Sequence, residues 1–375
     1  MNLLQRDFIV REPLLVSILV LITVVFSALT HSYSQAYDRR RLGLGVEWYE
    51  RGNRELADKH PDVAVADFRT ALFYDPQNRG YSMRLAEALS QSNHVDQALN
   101  YYSSLWQSQP INGLINLQIA RLYARKGDSV AAERYFNGAV FGDWPENSVE
   151  NRRAASLELI HFYLDRGDTG HAESQLILLS GNLPEDPEWH TRVAELYLRV
   201  GDAQRALIQY REALRLNPGY LPAIHGAGEA ALRMGNFHDA ESYLARAVRL
   251  DSADLSSKQL LDVVQAVTAL NPYERGIPEA EKIRRTLRAF DVIGTRLTSC
   301  GGESPASPMA GYYTKWKDLK AAANARFLTQ HPEEIETLLD FTASAEKSAQ
   351  PHCGGPTPED SALLAIAQQQ ETQER

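Results

Sequence analysis

Cysteine is nearly absent: the 375 residues include two, Cys300 and Cys353. That scarcity excludes a multi-cysteine metal framework and a disulfide-dense small fold. Signatures of catalysis are missing as well. There is no HExxH, C-x-x-C, GxSxG or phosphate-binding loop, and the ten histidines are scattered. No stretch alternates apolar and polar residues as a half-buried strand does. A basic face is lacking too. The formal charge is −9, and from Glu333 to Arg375 there are nine acidic and two basic side chains, which leaves the preceding residues near neutral. Nucleic acid is therefore not an expected partner. No cofactor and no metal site are expected, nor an enzyme. The Gly-x-Gly of HGAGEAA, from His225, is explained by packing rather than by a nucleotide.

One long apolar run is present. LLVSILVLITVVFSALT, Leu14 to Thr30, carries no charge and as a helix spans roughly 26 Å at ~1.5 Å per residue, enough for a thin hydrocarbon core. Pro13 marks the expected helix start. A retained single-pass anchor is the favoured reading; a cleaved signal peptide, with Ser34-Gln35-Ala36 as its site, and a buried core helix are the alternatives. Arg6 and Arg11 on one side face Arg39, Arg40 and Arg41 on the other, so the positive-inside rule does not fix orientation. A signal-like N-terminus favours export of everything after residue 35.

The body of the chain is periodic. With Gly45 at position 1, Trp48, Gly52, Ala64, Phe68, Ala71 and Pro76 fall at positions 4, 8, 20, 24, 27 and 32 of a 34-residue frame. Frames from Arg79, Gly113, Arg153, Pro187 and Leu221 repeat it, with an insertion around FGDWPENSVEN. Small residues at positions 8 and 20 let paired helices approach, and an aromatic at 24 fills the space beside them. Gly127-Asp128, Gly167-Asp168, Gly201-Asp202 and Gly235-Asn236 join a helix-ending glycine to a residue able to cap the next helix.

This pattern resembles the tetratricopeptide repeat (TPR) family over about residues 45–254, six repeats. The resemblance implies an all-α fold: a right-handed superhelical α-solenoid of helix-turn-helix units. Around it the chain divides into an N-terminal flank (1–13), the anchor (14–30), a juxtamembrane linker (31–44), a capping helix pair (255–297), a C-terminal helical region (298–370) and a frayed tail (371–375). It also implies that first-helix positions 2, 5, 6, 9, 12 and 13 line a concave groove. Carried over, that groove comprises Tyr49, Asn53, Arg84, Glu87, Gln118, Arg121, Arg125, Glu158, His161, Arg192, Glu195, Arg199, His225, Glu229 and Arg233. The family's two-carboxylate clamp is not carried over, because only Asn53 fits it. Arg121 and Arg125 are spaced to grip a carboxylate or phosphate; pairing with Glu87 or Glu158 is the plainer expectation.

SCGGE and HCGGP place Gly-Gly after each cysteine. A Cys300–Cys353 disulfide would close a loop of about 54 residues and stabilise by roughly 4 kcal/mol in the chain-entropy model. Two reduced, buried thiols are the alternative in a reducing compartment. A metal site or a catalytic Cys353 is disfavoured, since His352 is badly placed to deprotonate its own neighbour. The combined expectation is a membrane-anchored scaffold binding a protein or peptide segment. The alternatives are a structural envelope component that assembles through its solenoid, as a homo-oligomer would, and an enzyme using Cys353.

Overall fold

The computed structural model describes residues 3–321 and 323–373. Among them are eighteen α-helices and no β-structure beyond one isolated bridge, Asn112 to Asp143. The fold is all-α. Its contacts divide it into two units, Met1–Phe162 and Tyr163–Arg375.

In the first unit, α1 (Leu3–Ala57) is a single helix. It opens upstream of Pro13, where the sequence places its start, and it does not pause at the expected linker 31–44. No proline interrupts residues 14–60, so nothing forces a break between the apolar segment and the first repeat. Leu19, Leu21, Phe26 and Leu29 are more than 60% exposed, so this part of the helix is covered by no other described element. The stretch 31–44 spans about 21 Å of helix. The C-terminal end of α1 then packs on α2 (Pro61–Tyr74) as the first repeat. The next pairs are α3 (Arg79–Gln91) with α4 (Val95–Ser108), and α5 (Gly113–Lys126) with α6 (Ser129–Val140).

Position 20 explains the pairing. Ala64, Ala98 and Ala132 are fully buried there, and a β-carbon on Gly52 would lie 2.7 Å from the ring of Phe68. Asp67 is buried and held by a two-armed ion pair from Arg51, whose guanidinium also lies 4.0 Å from the Trp48 ring. The insertion after α6 is ordered by Trp144. Its ring lies where a side chain on Gly113 would be, its indole Nε1 donates to the Ala139 carbonyl at 2.9 Å, and the Gly113 N–H donates to the Asp143 carbonyl at 2.8 Å.

The second unit follows from α7 (Ser148–Asp165), which crosses the boundary. It holds α8 (Thr169–Ser180), α9 (Pro187–Val200) with α10 (Ala203–Leu216), α11 (Leu221–Arg233) with α12 (Phe237–Leu250), and α13 (Leu255–Leu270). Gly167, Gly201 and Gly235 adopt the left-handed conformation at the turns, as Gly127 does in the first unit. Asp128, Asp168 and Asp202 accept capping N–H bonds; Asn236 makes no such side-chain bond, so that expected cap is absent.

The remaining helices are α14 (Glu279–Ser299), α15 (Ala310–Lys320), α16 (Ala325–Gln330), α17 (Glu334–Ala349) and α18 (Pro358–Gln373). Their core includes Phe290, Leu297, Trp316, Leu338, Phe341 and Leu363. The expected capping pair is differently arranged: α18 lies along α13, while α14 packs chiefly against α17. Sequence neighbours separate here because α14 buries a stripe that several later helices must cover. Of the tail 371–375, Glu374 and Arg375 lie outside the described residues, as do Met1 and Asn2.

Candidate functional site

The expected groove residues of the first unit engage one another. Tyr49 stacks on Tyr81 with ring centroids 4.8 Å apart. Arg84 donates from Nε to Asn53 at 2.8 Å and from Nη1 to Glu87 at 2.5 Å. Arg121 makes a two-armed pair with Glu158, at 2.7 and 2.5 Å, which raises the pKa of the guanidinium chiefly through that hydrogen bond. Gln118 and His161 are half-buried. Arg125 bonds the Ser90 carbonyl at 2.9 Å and Asn93 at 2.7 Å. Arg121 and Arg125 are thus not an open anion clamp: each has an intramolecular acceptor that joins adjacent repeats.

In the second unit the same backbone bond recurs. Arg233 donates to the Leu198 carbonyl at 3.0 Å and to Glu229 at 2.6 Å. Arg125 and Arg233 both occupy position 13 and both reach a carbonyl at position 12 of the preceding repeat. These arginines satisfy orphan carbonyls at a helix C-terminus, where cations also complement the helix dipole. Position 13 by itself did not announce that role. Arg199 lies 3.9 Å from Asp165, and Arg192 and Glu195 are exposed.

A cavity of about 750 Å³ opens between α9, α11 and the start of α13. Glu195, Arg199, Glu229 and Arg233, all expected in the groove, line it together with His225, Tyr210, Leu221 and Asp254. Tyr210 is buried, which pushes its hydroxyl pKa up; the nearby Glu195 and Glu229 add to the effect. Asp254 caps α13, accepting from the N–H groups of Ser256 and Ser257 and from the Ser257 hydroxyl at 2.5 Å. Those bonds, the Ser257 hydroxyl first, hold its carboxyl below the usual range. His225 Nδ1 lies 2.8 Å from the Ser257 oxygen. Asp254-Leu-Ser-Ser has the form of a helix cap, though no cap was expected there, and nothing local signalled its place beside His225.

The second polar cluster lies among the C-terminal helices and no motif signalled it. Arg296, Glu346 and Asp360 are all buried. Arg296 lies 3.8 Å from Glu346 and 3.5 Å from Asp360, and donates to the carbonyls of Gly354 and Gly355 at 2.8 and 3.3 Å. Neither oxygen of Glu346 has a hydrogen bond. Burial, reinforced by Asp360 and opposed by Arg296, pushes its carboxyl up to about 7. Beside this cluster Cys300 and Cys353 are joined by a disulfide, their Cα atoms 5.1 Å apart.

The two Gly-Gly pairs differ. Gly301 is left-handed, and a β-carbon on Gly302 would lie 2.8 Å from the Leu297 carbonyl; Gly354 and Gly355 have open space and serve Arg296 through their carbonyls. Among the described residues no group of three His, Cys, Asp or Glu side chains is arranged to hold a metal ion.

Residues 83–148 and 157–220 match one tetratricopeptide-repeat family model and residues 221–254 match another. The helix pairs are tetratricopeptide repeats. An array of such repeats is a protein-interaction scaffold. A putative cellulose synthase operon protein C of Escherichia coli O157:H7 is 25% identical over 296 residues, covering 76% of this chain and a quarter of that protein. Among solved structures, Pseudomonas aeruginosa PilF is 15% identical, with a TM-score of 0.40, covering 58% of this chain and 96% of its own. The C-terminal part of a TPR protein from Cytophaga hutchinsonii is 11% identical, with a TM-score of 0.47, covering 64% and 92%.

Proposed function

We propose that this protein is a single-pass, membrane-anchored adaptor of a bacterial cell envelope whose repeats bind a segment of a partner protein. The observation that carries the membrane part is α1. From Val16 to Thr30 its apolar segment is exposed on all sides, and a lipid environment removes that cost. Because the segment continues as helix into the first repeat, the anchor would hold the repeats rigidly at their membrane-proximal end. Tyr33 and Tyr37, exposed one turn apart ahead of Arg39 to Arg41, suit the interfacial zone. The disulfide favours an oxidising, extracytoplasmic side for the repeats.

Partner binding rests on the repeat family and on the lined cavity of the second unit. A photocrosslinking amino acid at Arg192 or Gln118, in native membranes, should capture partner polypeptide. Capture confined to positions on the outer helices, such as Ile208, would refute the groove reading. A membrane-impermeant maleimide applied to intact cells after reduction should label Cys300 and Cys353; labelling only after lysis would refute export. The similarity to cellulose synthase operon protein C favours a second reading, a structural component of an envelope complex that assembles through the solenoid. Self-association of the purified chain without added ligand, measured by sedimentation, would support that reading instead.

A further inference from the structure

The cavity between α9, α11 and α13 is unequal in its unsatisfied groups. Arg233 is held by Glu229 and the Leu198 carbonyl, and Arg199 lies 3.9 Å from Asp165. Asp254 has its cap bonds. Glu195 has no hydrogen bond or ion pair to any described residue and faces the cavity. His225 adds a second acceptor. The Ser257 hydroxyl gives its proton to Asp254, so its oxygen can only accept from His225 Nδ1 at 2.8 Å. That places a hydrogen on Nδ1, the tautomer in which Nε2 is the ring's acceptor. The remaining walls, Leu198, Tyr210, Leu221 and Pro222, are largely apolar.

We propose that this cavity receives a lysine or arginine side chain of an extended partner segment. The methylene stem lies along Leu221 and Tyr210, and the cation donates to Glu195 and to His225 Nε2. The assignment deepens the groove reading and rests on it. An acidic ligand is disfavoured, because both guanidiniums lining the cavity already have carboxylate partners and Glu195 would repel it. The negative surroundings extend to Tyr220, whose hydroxyl pKa is raised by burial and by Glu188, Asp186 and Glu195.

The test uses the full chain in detergent and three fluorescein-labelled peptides of sequence Gly-Ala-X-Ala-Gly, with X lysine, norleucine or glutamate. Fluorescence polarisation should give the lysine peptide at least a tenfold lower Kd than the other two, weakening as salt rises. Glu195→Gln should reduce the lysine affinity at least fivefold and leave norleucine binding unchanged. Glu212→Gln, on an outer helix and paired with Arg215, should change neither. Equal binding of lysine and norleucine peptides, with a photocrosslinker at Leu221 still capturing both, overturns the cation assignment and leaves the groove reading standing. Failure of all three peptides to bind overturns the assignment. If the Arg192 and Gln118 crosslinkers also capture no partner in membranes, the groove reading falls with it.

Discussion

Glu346 should make the C-terminal helices less stable as the pH rises through neutrality. Its carboxylate is fully buried without a hydrogen bond, facing one guanidinium, Arg296, and a second carboxylate, Asp360. Two acids and one base cannot all be ionised there without a net buried charge. Folding raises the Glu346 pKa from 4.5 to about 7, so the folded state holds a proton that the unfolded chain releases. The associated stability is fully present below pH 4.5 and is lost progressively up to about pH 7. At ~1.4 kcal/mol per pH unit, the loss at pH 8 comes to about 3 kcal/mol.

Glu346→Gln keeps the shape and cannot ionise. It should be near neutral for stability at pH 5 and stabilising by about 1.5–3 kcal/mol at pH 8, with part of the gain offset by the lost attraction to Arg296. Equilibrium urea unfolding at pH 5, 6.5 and 8, followed by tryptophan emission, measures both slopes; Trp316 lies in the same core. Glu281, held down to about 2 by Arg284 and Arg285, contributes with opposite sign and only below pH 4.5, outside this window. Equal destabilisation of Glu346→Gln at all three pH values, or a wild-type pH slope retained in the variant, would refute the reasoning.

Cys300→Ala and Cys353→Ala should each lower stability by about 2–4 kcal/mol, equally, because either removes the same cross-link; unequal losses on non-reducing unfolding curves would indicate a separate role for one thiol. Gly302→Ala should cost about 1–3 kcal/mol, since its β-carbon meets the Leu297 carbonyl, while Gly354→Ala should stay within about 0.5 kcal/mol; thermal melts separate the two. Lys59 holds a left-handed φ of 63° at the turn position that glycine occupies in later repeats, so Lys59→Gly should leave stability unchanged or raise it by up to about 1 kcal/mol. Asp67→Ala should destabilise the first repeat, because it empties a buried site and removes the partner of Arg51, which is itself half exposed and can turn to water; hydrogen exchange of α2 amides reports it.

How much was legible depended on whether the cause was local. The repeat frame could be read because each element has a short-range reason: Ala64, Ala98 and Ala132 permit close approach, and Gly201-Asp202 ends one helix and starts the next. The groove positions were expectations from the frame, and of their partners only Glu158 for Arg121 was foreseen. Arg125 and Arg233 bond carbonyls 35 residues earlier in the chain, and only the superposition of one repeat on the next brings those groups together. The helix between the apolar segment and the first repeat was missed for a different reason. A polar composition suggested a linker, whereas the helix persists because nothing in it breaks backbone hydrogen bonds.

By itself the sequence determined the helical class, the repeat period, the apolar segment and the pairing options of two cysteines, because periodicity, turn chemistry and composition act over a few residues. Tertiary structure alone decided which polar groups meet: it chose Glu158 over Glu87 for Arg121, and it joined His225 with Ser257 and Asp254, and Arg296 with Glu346 and Asp360. These groups are from 29 to 64 residues apart. Their electrostatics depend on separations of a few ångströms and on the exclusion of water, quantities that exist only once the helices have packed.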